Sequence, residues 1–250
     1  MLKSERHELI LNRVEQFGKV LVSDLTEELD VTEDTIRKDL QELSKAGIVK
    51  RVHGGAIRID NSVLAFEKRV QKNSTRKQEL GKLALQFLQS DQIIYIDSGT
   101  TNLSFANEIP RNFKGTVITN SPSIALTLSD RPYIRIRILP GELNKESKVI
   151  EGSDTLTAIR NINFDLCVLG VSSIDITNGI TVPMMEESLL KQQVIKQSSH
   201  VISIITSEKI GTTSTYFVDK SSAIDAIITE GNVPENLLNP YKEAGIQIIH

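Results

Sequence analysis

A single cysteine, Cys167, and no tryptophan occur among 250 residues, and aromatic side chains supply only 4%. One thiol leaves no partner for a disulfide within the chain, which suits a reducing cytoplasm better than a secreted, disulfide-stapled fold. No apolar run reaches the roughly 18 residues that would suggest a membrane span. The opening stretch "MLKSERHELILNRVEQ" alternates charged with apolar residues and lacks the apolar core of a signal peptide. Charge of one sign is missing too: 29 Lys and Arg stand against 32 Asp and Glu, a net charge of −3. With a pI near 5.9, any case for nucleic-acid binding must rest on local arrangement. The four histidines, His7, His53, His200 and His250, are scattered, so no spacing resembles a metal site and no cofactor is implied. What remains is an ordinary globular composition, 39% hydrophobic, long enough for one large domain or two smaller ones.

The first sixty residues hold three short apolar patterns in succession. In "ERHELILNRVEQFG", Leu9, Ile10, Val14 and Phe17 recur at helical spacing, and Gly18 stands where a C-cap is expected. In "VSDLTEELD", Ser23 is a candidate N-cap, Leu25 and Leu29 face inward, and Asp30 ends the segment. Thr32 is placed to cap the next helix, with Glu33 and Asp34 beside the positive end of its dipole. Ile36, Leu40 and Leu43 then form one inward stripe, and Gly47 closes the helix. Helices this short are marginal alone and must pack on one another. Packing them that way turns Thr35, Arg37, Lys38 and Gln41 outward or to the flanks. Arg and Lys suit guanine edges and phosphates, Gln suits adenine, and Thr suits a phosphate or a thymine methyl.

"IVKRVHGGAIRI" follows, an alternating pattern broken at Gly54-Gly55 and resumed from Ala56 to Ile59, which reads as a two-residue hairpin. Lys50, Arg51, His53 and Arg58 decorate it. Residues 32–58 contain six basic and four acidic side chains, the basic ones concentrated on one helix and the hairpin. Three helices and a basic hairpin describe a winged helix-turn-helix. The alternative is a small helical domain whose charged face contacts protein.

"LVSDLTEELDVTEDTIRKDLQELSKAGIVKRVHGGA" resembles the helix-turn-helix region of the DeoR family of bacterial transcription regulators. The family usually has a second arginine where this chain has Lys38. Lysine keeps the charge but loses the bidentate fork, so Arg37 is the stronger candidate for reading bases. The DNA-reading set expected from residues and resemblance together is Ser23, Thr32, Thr35, Arg37, Lys38, Gln41, Lys50, Arg51, His53 and Arg58.

Three segments are expected: a DNA-binding domain over 1–58, a linker over 59–74, and an α/β domain over 75–250. The linker breaks both periods and carries bases from Lys68 to Lys77; it reads as a solvated hinge. The resemblance adds that Arg69, Asn73 and Lys77 match positions usual in the family, able to reach an effector site or a domain interface. Beyond it, helical segments alternate with apolar strands such as "QIIYIDSG", "GTVITN", "FDLCVLGV" and "VISIIT". That alternation predicts a mostly parallel sheet covered by helices, with Cys167 inside an apolar strand.

Ligands of such sheets sit outside the carboxyl ends of the strands. The segments there are "DSGTTN", "TNSPS", "PGE", "GVSS" and "TSEK", a rim of hydroxyls, amides and free backbone N–H groups suited to an oxyanion. In "DSGTT", Gly99 permits close approach, while Thr100 and Thr101 open a helix whose dipole favours an anion. Lys209 could supply counter-charge, and Asp97 could accept hydrogen bonds from sugar hydroxyls. A capped strand-to-helix turn is the plainer reading of "DSGTT", and Glu187 with Lys191 reads as a helix i,i+4 ion pair.

"IDSGTT", "VITNS", "EESLLKQQVI" and "SEKIG" are similar to marks of the DeoR sensor domain. The resemblance implies a fold like ribose-5-phosphate isomerase and a phosphorylated sugar or related metabolite as effector. It implies an effector set of Asp97, Ser98, Gly99, Thr100, Thr101, Asn120, Gly141, Gly170, Glu187 and Lys209. The chain departs from the family pattern at Glu142, Gln192 and Thr206. Two functions compete: a ligand-controlled regulator of double-stranded operator DNA, or a sugar-phosphate isomerase using Asp97, Glu187 and Lys209. A protein-interaction adaptor is a third, and would show no salt-sensitive DNA affinity. The first is the expectation: a cytoplasmic repressor of carbohydrate-metabolism genes, acting as a dimer or tetramer because one short helix makes too few base contacts.

Overall fold

The structure is a computed structural model that describes residues 3–17, 19–46, 48–52, 54–58 and 66–250. Gly18, Gly47, His53 and residues 59–65 lie outside the described residues, as do the side chains of Phe17, Arg58 and Lys68. The chain divides into two compact units, Met1–Val63 and Leu64–His250. No helix among the described residues is long and apolar enough to cross a membrane.

The first unit runs α1 (Lys3–Phe17), β1 (Lys19–Leu21), α2 (Val22–Leu29), α3 (Glu33–Lys45), β2 (Val49–Val52) and β3 (Gly55–Arg58). The apolar stripes meet as read from sequence: Ile10, Val14, Leu25, Leu29, Ile36, Leu40 and Leu43 share one core with Val20, Val22, Val49 and Ala56. Each such burial is worth about 1.5–3 kcal/mol, which holds together helices too short to persist alone. Leu9 is the exception and stays 42% exposed. α2 stops at Asp30, whose left-handed φ of 49° takes the C-cap.

Two local readings are corrected. α2 begins two residues earlier than expected, capped by Leu21, so Ser23 lies inside its first turn and bonds Asp24 instead of capping. Val52 pairs directly with Gly55, so Gly55 belongs to β3 and not to the turn. Gly54 takes a φ of 79° there. Gly55 cannot carry a side chain, because a Cβ would sit 2.0 Å from the Val20 carbonyl oxygen of β1. That contact exists because β1 joins the hairpin, in the order β1-β3-β2. Three residues, "KVL", are too few to show a period.

The second unit opens with α4 (Phe66–Gln71) and α5 (Ser74–Ala84), then β4 (Ile93–Ile96), α6 (Thr100–Glu108), β5 (Gly115–Thr119), α7 (Pro122–Leu128) and β6 (Ile134–Ile138). It continues through β7 (Glu142–Asn144), β8 (Val149–Glu151), α8 (Ser153–Ile159), β9 (Leu166–Leu169), β10 (Ser173–Asp175), β11 (Gly179–Val182) and α9 (Met185–Lys196). β12 (Val201–Ile204), β13 (Tyr216–Asp219), β14 (Ala226–Ile228), α10 (Glu235–Glu243) and β15 (Gln247–Ile249) complete it. Part of the segment read as linker is therefore helical, and α4 belongs to this unit.

Among the described residues the main sheet has seven strands in the order β15-β14-β12-β9-β4-β5-β6. Every pairing in it is parallel. Alternate residues enter different cores: Tyr95, Cys167 and Leu169 pack on one face, and Ile94, Ile96, Leu166 and Val168 on the other. Both faces are covered, as the unbroken apolar strands required. An antiparallel sheet β10-β11-β13 and a hairpin β7-β8 are additional, and no sequence pattern announced them. The strand order reverses between β4 and β9. A crevice outside their carboxyl ends is where such sheets bind ligands.

Candidate DNA-reading face and effector site

α3 presents the expected face. Thr32 caps it, accepting a hydrogen bond from the Thr35 N–H at 3.3 Å, and the two hydroxyls lie 2.9 Å apart. Lys38 and Gln41 are exposed, Thr35 is half-buried, and Lys50 and Arg51 are exposed on β2. Arg37 lies along the helix, donating to Glu33 at 2.9 Å, with both side chains more than half exposed. Such a surface pair is worth little, so Glu33 can release the guanidinium to another acceptor at small cost.

Beneath that face lies a group that sequence reading missed. Asp39 is only 3% exposed and accepts from Arg6 Nη2 at 3.1 Å, from Arg6 Nε, and from His7 Nε2 at 3.0 Å. Burial pushes the carboxyl's pKa up, but the hydrogen bonds and charge of Arg6 and His7 outweigh it and hold the group below its usual range. The helix that carries Arg37 is thus fastened to α1 by an ion pair as well as by Ile36 and Leu40. The available signal was an acid on the inner side of α3, between Lys38 and Leu40.

The second site lies at the reversal of strand order. Asp97, at the end of β4, is 1% exposed. Its Oδ1 accepts from the Ser98 N–H at 2.8 Å and faces the Tyr95 hydroxyl at 3.5 Å. Its Oδ2 accepts from the Gly170 N–H at 2.9 Å and from Lys191 Nζ. Asp97 therefore ties the β4 and β9 loops to α9, and its oxygens are not offered to a sugar as the sequence reading expected. Lys191 is equally buried and also meets Glu187 at 3.2 Å. Burial lowers its pKa, yet Asp97 and Glu187 more than offset that and hold the amine above its usual range. The helix i,i+4 ion pair read from sequence is present, and Asp97 extends it into a buried triad. Gly170 must be glycine here, since a Cβ would come within 2.4 Å of the Ser98 carbonyl oxygen.

Above this tie, Ser98, Gly99 and Thr100 are half-exposed, and Thr101 and Asn102 are buried. Gly99 caps α6 at φ 128° and, as glycine, offers no side chain to its first N–H groups. Asn102 fixes the turn by donating to the carbonyls of Asp97 and Val168, both at 3.0 Å. Lys209 donates to the Val171 carbonyl at 2.6 Å, and the buried Lys77 donates to the Arg69 carbonyl. Burial, together with the charges of Arg69 and Lys191, lowers the Lys209 pKa to about 8. Burial and the Lys209 charge lower Lys77 likewise to about 8. Asp97, Ser98, Gly170, Glu187 and Lys209 are therefore gathered with three basic groups, Lys191, Lys77 and Arg69.

Two expected members stand with the β7-β8 hairpin instead. Asn120 accepts the Ile150 N–H at 2.8 Å through its backbone carbonyl. A Cβ on Gly141 would strike Thr155 Oγ1 and the Glu151 carbonyl, so that glycine serves close packing of α8. Gln192 bonds Ser188 and the Phe217 carbonyl, each at 3.2 Å, so this departure from the family pattern faces β13.

Comparison with known proteins matches residues 6–62 to the DeoR-like helix-turn-helix domain and residues 72–231 to the DeoR C terminal sensor domain. The chain is 30% identical over 232 residues to the HTH-type transcriptional repressor GlcR of Bacillus subtilis (strain 168), covering 92% of this chain and 89% of that protein. It is 28% identical over 249 residues to the glycerol-3-phosphate regulon repressor of Escherichia coli (strain K12), covering 99% of each. Ribose 5-phosphate isomerase A from Methanocaldococcus jannaschii is a looser likeness of fold, with a TM-score of 0.39 and 13% identity over 55% of each chain.

Proposed function

The chain belongs to the DeoR family of DNA-binding transcriptional regulators, and from that premise we propose that it represses carbohydrate-metabolism genes under control of a phosphorylated sugar or related metabolite. It acts in the cytoplasm as a homo-oligomer on double-stranded operator DNA. Arg37, Gln41 and Thr35 read bases, while Lys38, Lys50 and Arg51 hold phosphates. The effector's phosphate lies over Ser98–Thr101 at the start of α6, with Lys209, Lys77 and Arg69 as counter-charges. Asp97 and Lys191 hold that loop in place.

The observation that carries this reading is the pairing of Lys77 and Lys209. Both amines bond backbone carbonyls, and each has its pKa lowered to about 8 by burial and nearby positive charge. A phosphate dianion supplies the charge that a carbonyl cannot. Two relatives are named as repressors, one of them of a glycerol-3-phosphate regulon, which fits a small phosphorylated ligand.

A thermal-shift screen across phosphorylated sugars and polyols tests it. The cognate compound at about 100 times its dissociation constant should stabilise the sensor unit by about 2.7 kcal/mol. Because bound phosphate raises both lysine pKa values, affinity should be full from about pH 6, above which a phosphate monoester is a dianion, to about 8, and fall as pH rises through that value. Unphosphorylated parents should do nothing. A flat response across the panel would overturn the reading.

A further inference from the structure

We infer that two copies of this chain associate through the face built by the N-terminal half of α9 and the β11-β13 edge. The inference rests on the oligomeric regulator proposed above and gives it a surface. Met184, Met185, Leu189, Tyr216 and Phe217 are 53%, 53%, 41%, 39% and 53% exposed.

They come from α9, the residue that leads into it, and β13, which packs on α9; Tyr216 and Phe217, consecutive on β13, leave opposite faces of that strand. Met185, Ser188, Leu189 and Gln192 fall at i, i+3, i+4 and i+7, one stripe of α9. From that stripe Ser188 and Gln192 both bond the Phe217 carbonyl, which places Met185 and Leu189 beside β13. Tyr216 pairs with Val182, two residues before Met184. The Phe217 ring lies over Gly179, where a Cβ would come within 2.9 Å of it. Thr213 and Thr215 are exposed close by in sequence, and Glu186 is the one charged residue from Met184 to Leu189 that is exposed.

Without Tyr216, the four side chains Met184, Met185, Leu189 and Phe217, about half exposed, leave roughly 400 Å² of apolar surface, the size of patch that marks interaction sites. Two copies meeting on it about a two-fold axis would bury roughly 800 Å² from these side chains, and the threonine rim brings the total toward the ~1,200 Å² of the smaller specific interfaces. Among other exposed apolar residues, Tyr133 and Ile138 are separated by the exposed Arg135 and Arg137. Like charges brought together there would oppose a symmetric contact.

The same helix turns Glu187 and Lys191 toward Asp97 and Met185 and Leu189 toward the partner copy. One 12-residue element therefore touches both the effector crevice and the face between copies.

Sedimentation of the full chain at micromolar concentration, with Leu189→Glu, Phe217→Glu and the control Leu126→Glu, tests the inference. The expected result is a dimer or larger for the wild type and Leu126→Glu, and a monomer with unchanged circular dichroism for Leu189→Glu. Should Phe217→Glu fail to fold, Leu189→Glu decides alone. A monomeric wild type, a Leu189→Glu variant of wild-type mass, or equal dissociation of the control would overturn the inference. Binding of generic duplex DNA in dilute salt separates this failure from failure of the regulator itself, since monomers should retain it.

Discussion

The two units place their working polar groups in opposite ways. In the first, Arg37, Lys38 and Gln41 stand in solvent on the far side of α3 from Ile36 and Leu40. In the second, Asp97, Lys191 and Lys77 are buried, and partners come from distant parts of the chain, as in the Asp97–Lys191 pair 94 residues apart. DNA is large and comes to an open face, so its contacts can be held loosely. A small metabolite must be enclosed, and the groups that enclose it need counter-charges to survive burial.

Substitutions can break this contrast. The largest effect is expected at Lys191→Met, which leaves the Asp97 carboxylate buried without its cation and should destabilise the sensor unit by about 3–5 kcal/mol. Calorimetry should show that unit's transition falling, with part recovered by Asp97→Asn in the same chain. Asp39→Asn should come next, at about 2 kcal/mol, since its partner Arg6 is partly solvated. Asp39's folded pKa is depressed, so its stabilisation is complete above the unfolded value near 4 and is lost as pH falls through the folded value. Acid titration of the helical unit should show a shallower loss in the variant than in the wild type.

Arg37→Ala sharpens the comparison from the other side. It should cost about 1–3 kcal/mol in specific operator binding, yet leave the melting temperature almost unchanged, because the pair with Glu33 is exposed. A footprint and a melt on the same preparation would check both halves. Smallest is Thr32→Ala, which removes the cap of α3 and should lower stability by about 1 kcal/mol in urea unfolding.

The contrast also explains which parts were legible in the sequence. Ile36, Leu40 and Leu43 announce a helix and its outward face together, because a 3.6-residue period is local information. The parallel sheet was legible for a similar reason, in apolar runs such as "IIYI" and "LCVL". Thr32 capped as its position required, whereas Ser23 did not, because the helix start was fixed by β1 joining the wing. Lys191 was read only as the partner of Glu187 in a helix ion pair, because nothing within α9 reveals Asp97. Arg69 and Lys77 came into view only through resemblance, as their shared neighbour, Lys209, lies more than 130 residues on. Small antiparallel elements such as β7-β8 were missed because three-residue strands carry no period.

The central claim is that the buried cations of the second unit govern the exposed cations of the first. Operator affinity measured at fixed salt, with and without the phosphorylated compound selected by thermal shift, tests it directly. A change of about 5- to 150-fold is expected, matched by an equal change in the compound's affinity when operator is present. Equal operator affinity in both conditions, with the compound demonstrably bound, would contradict it.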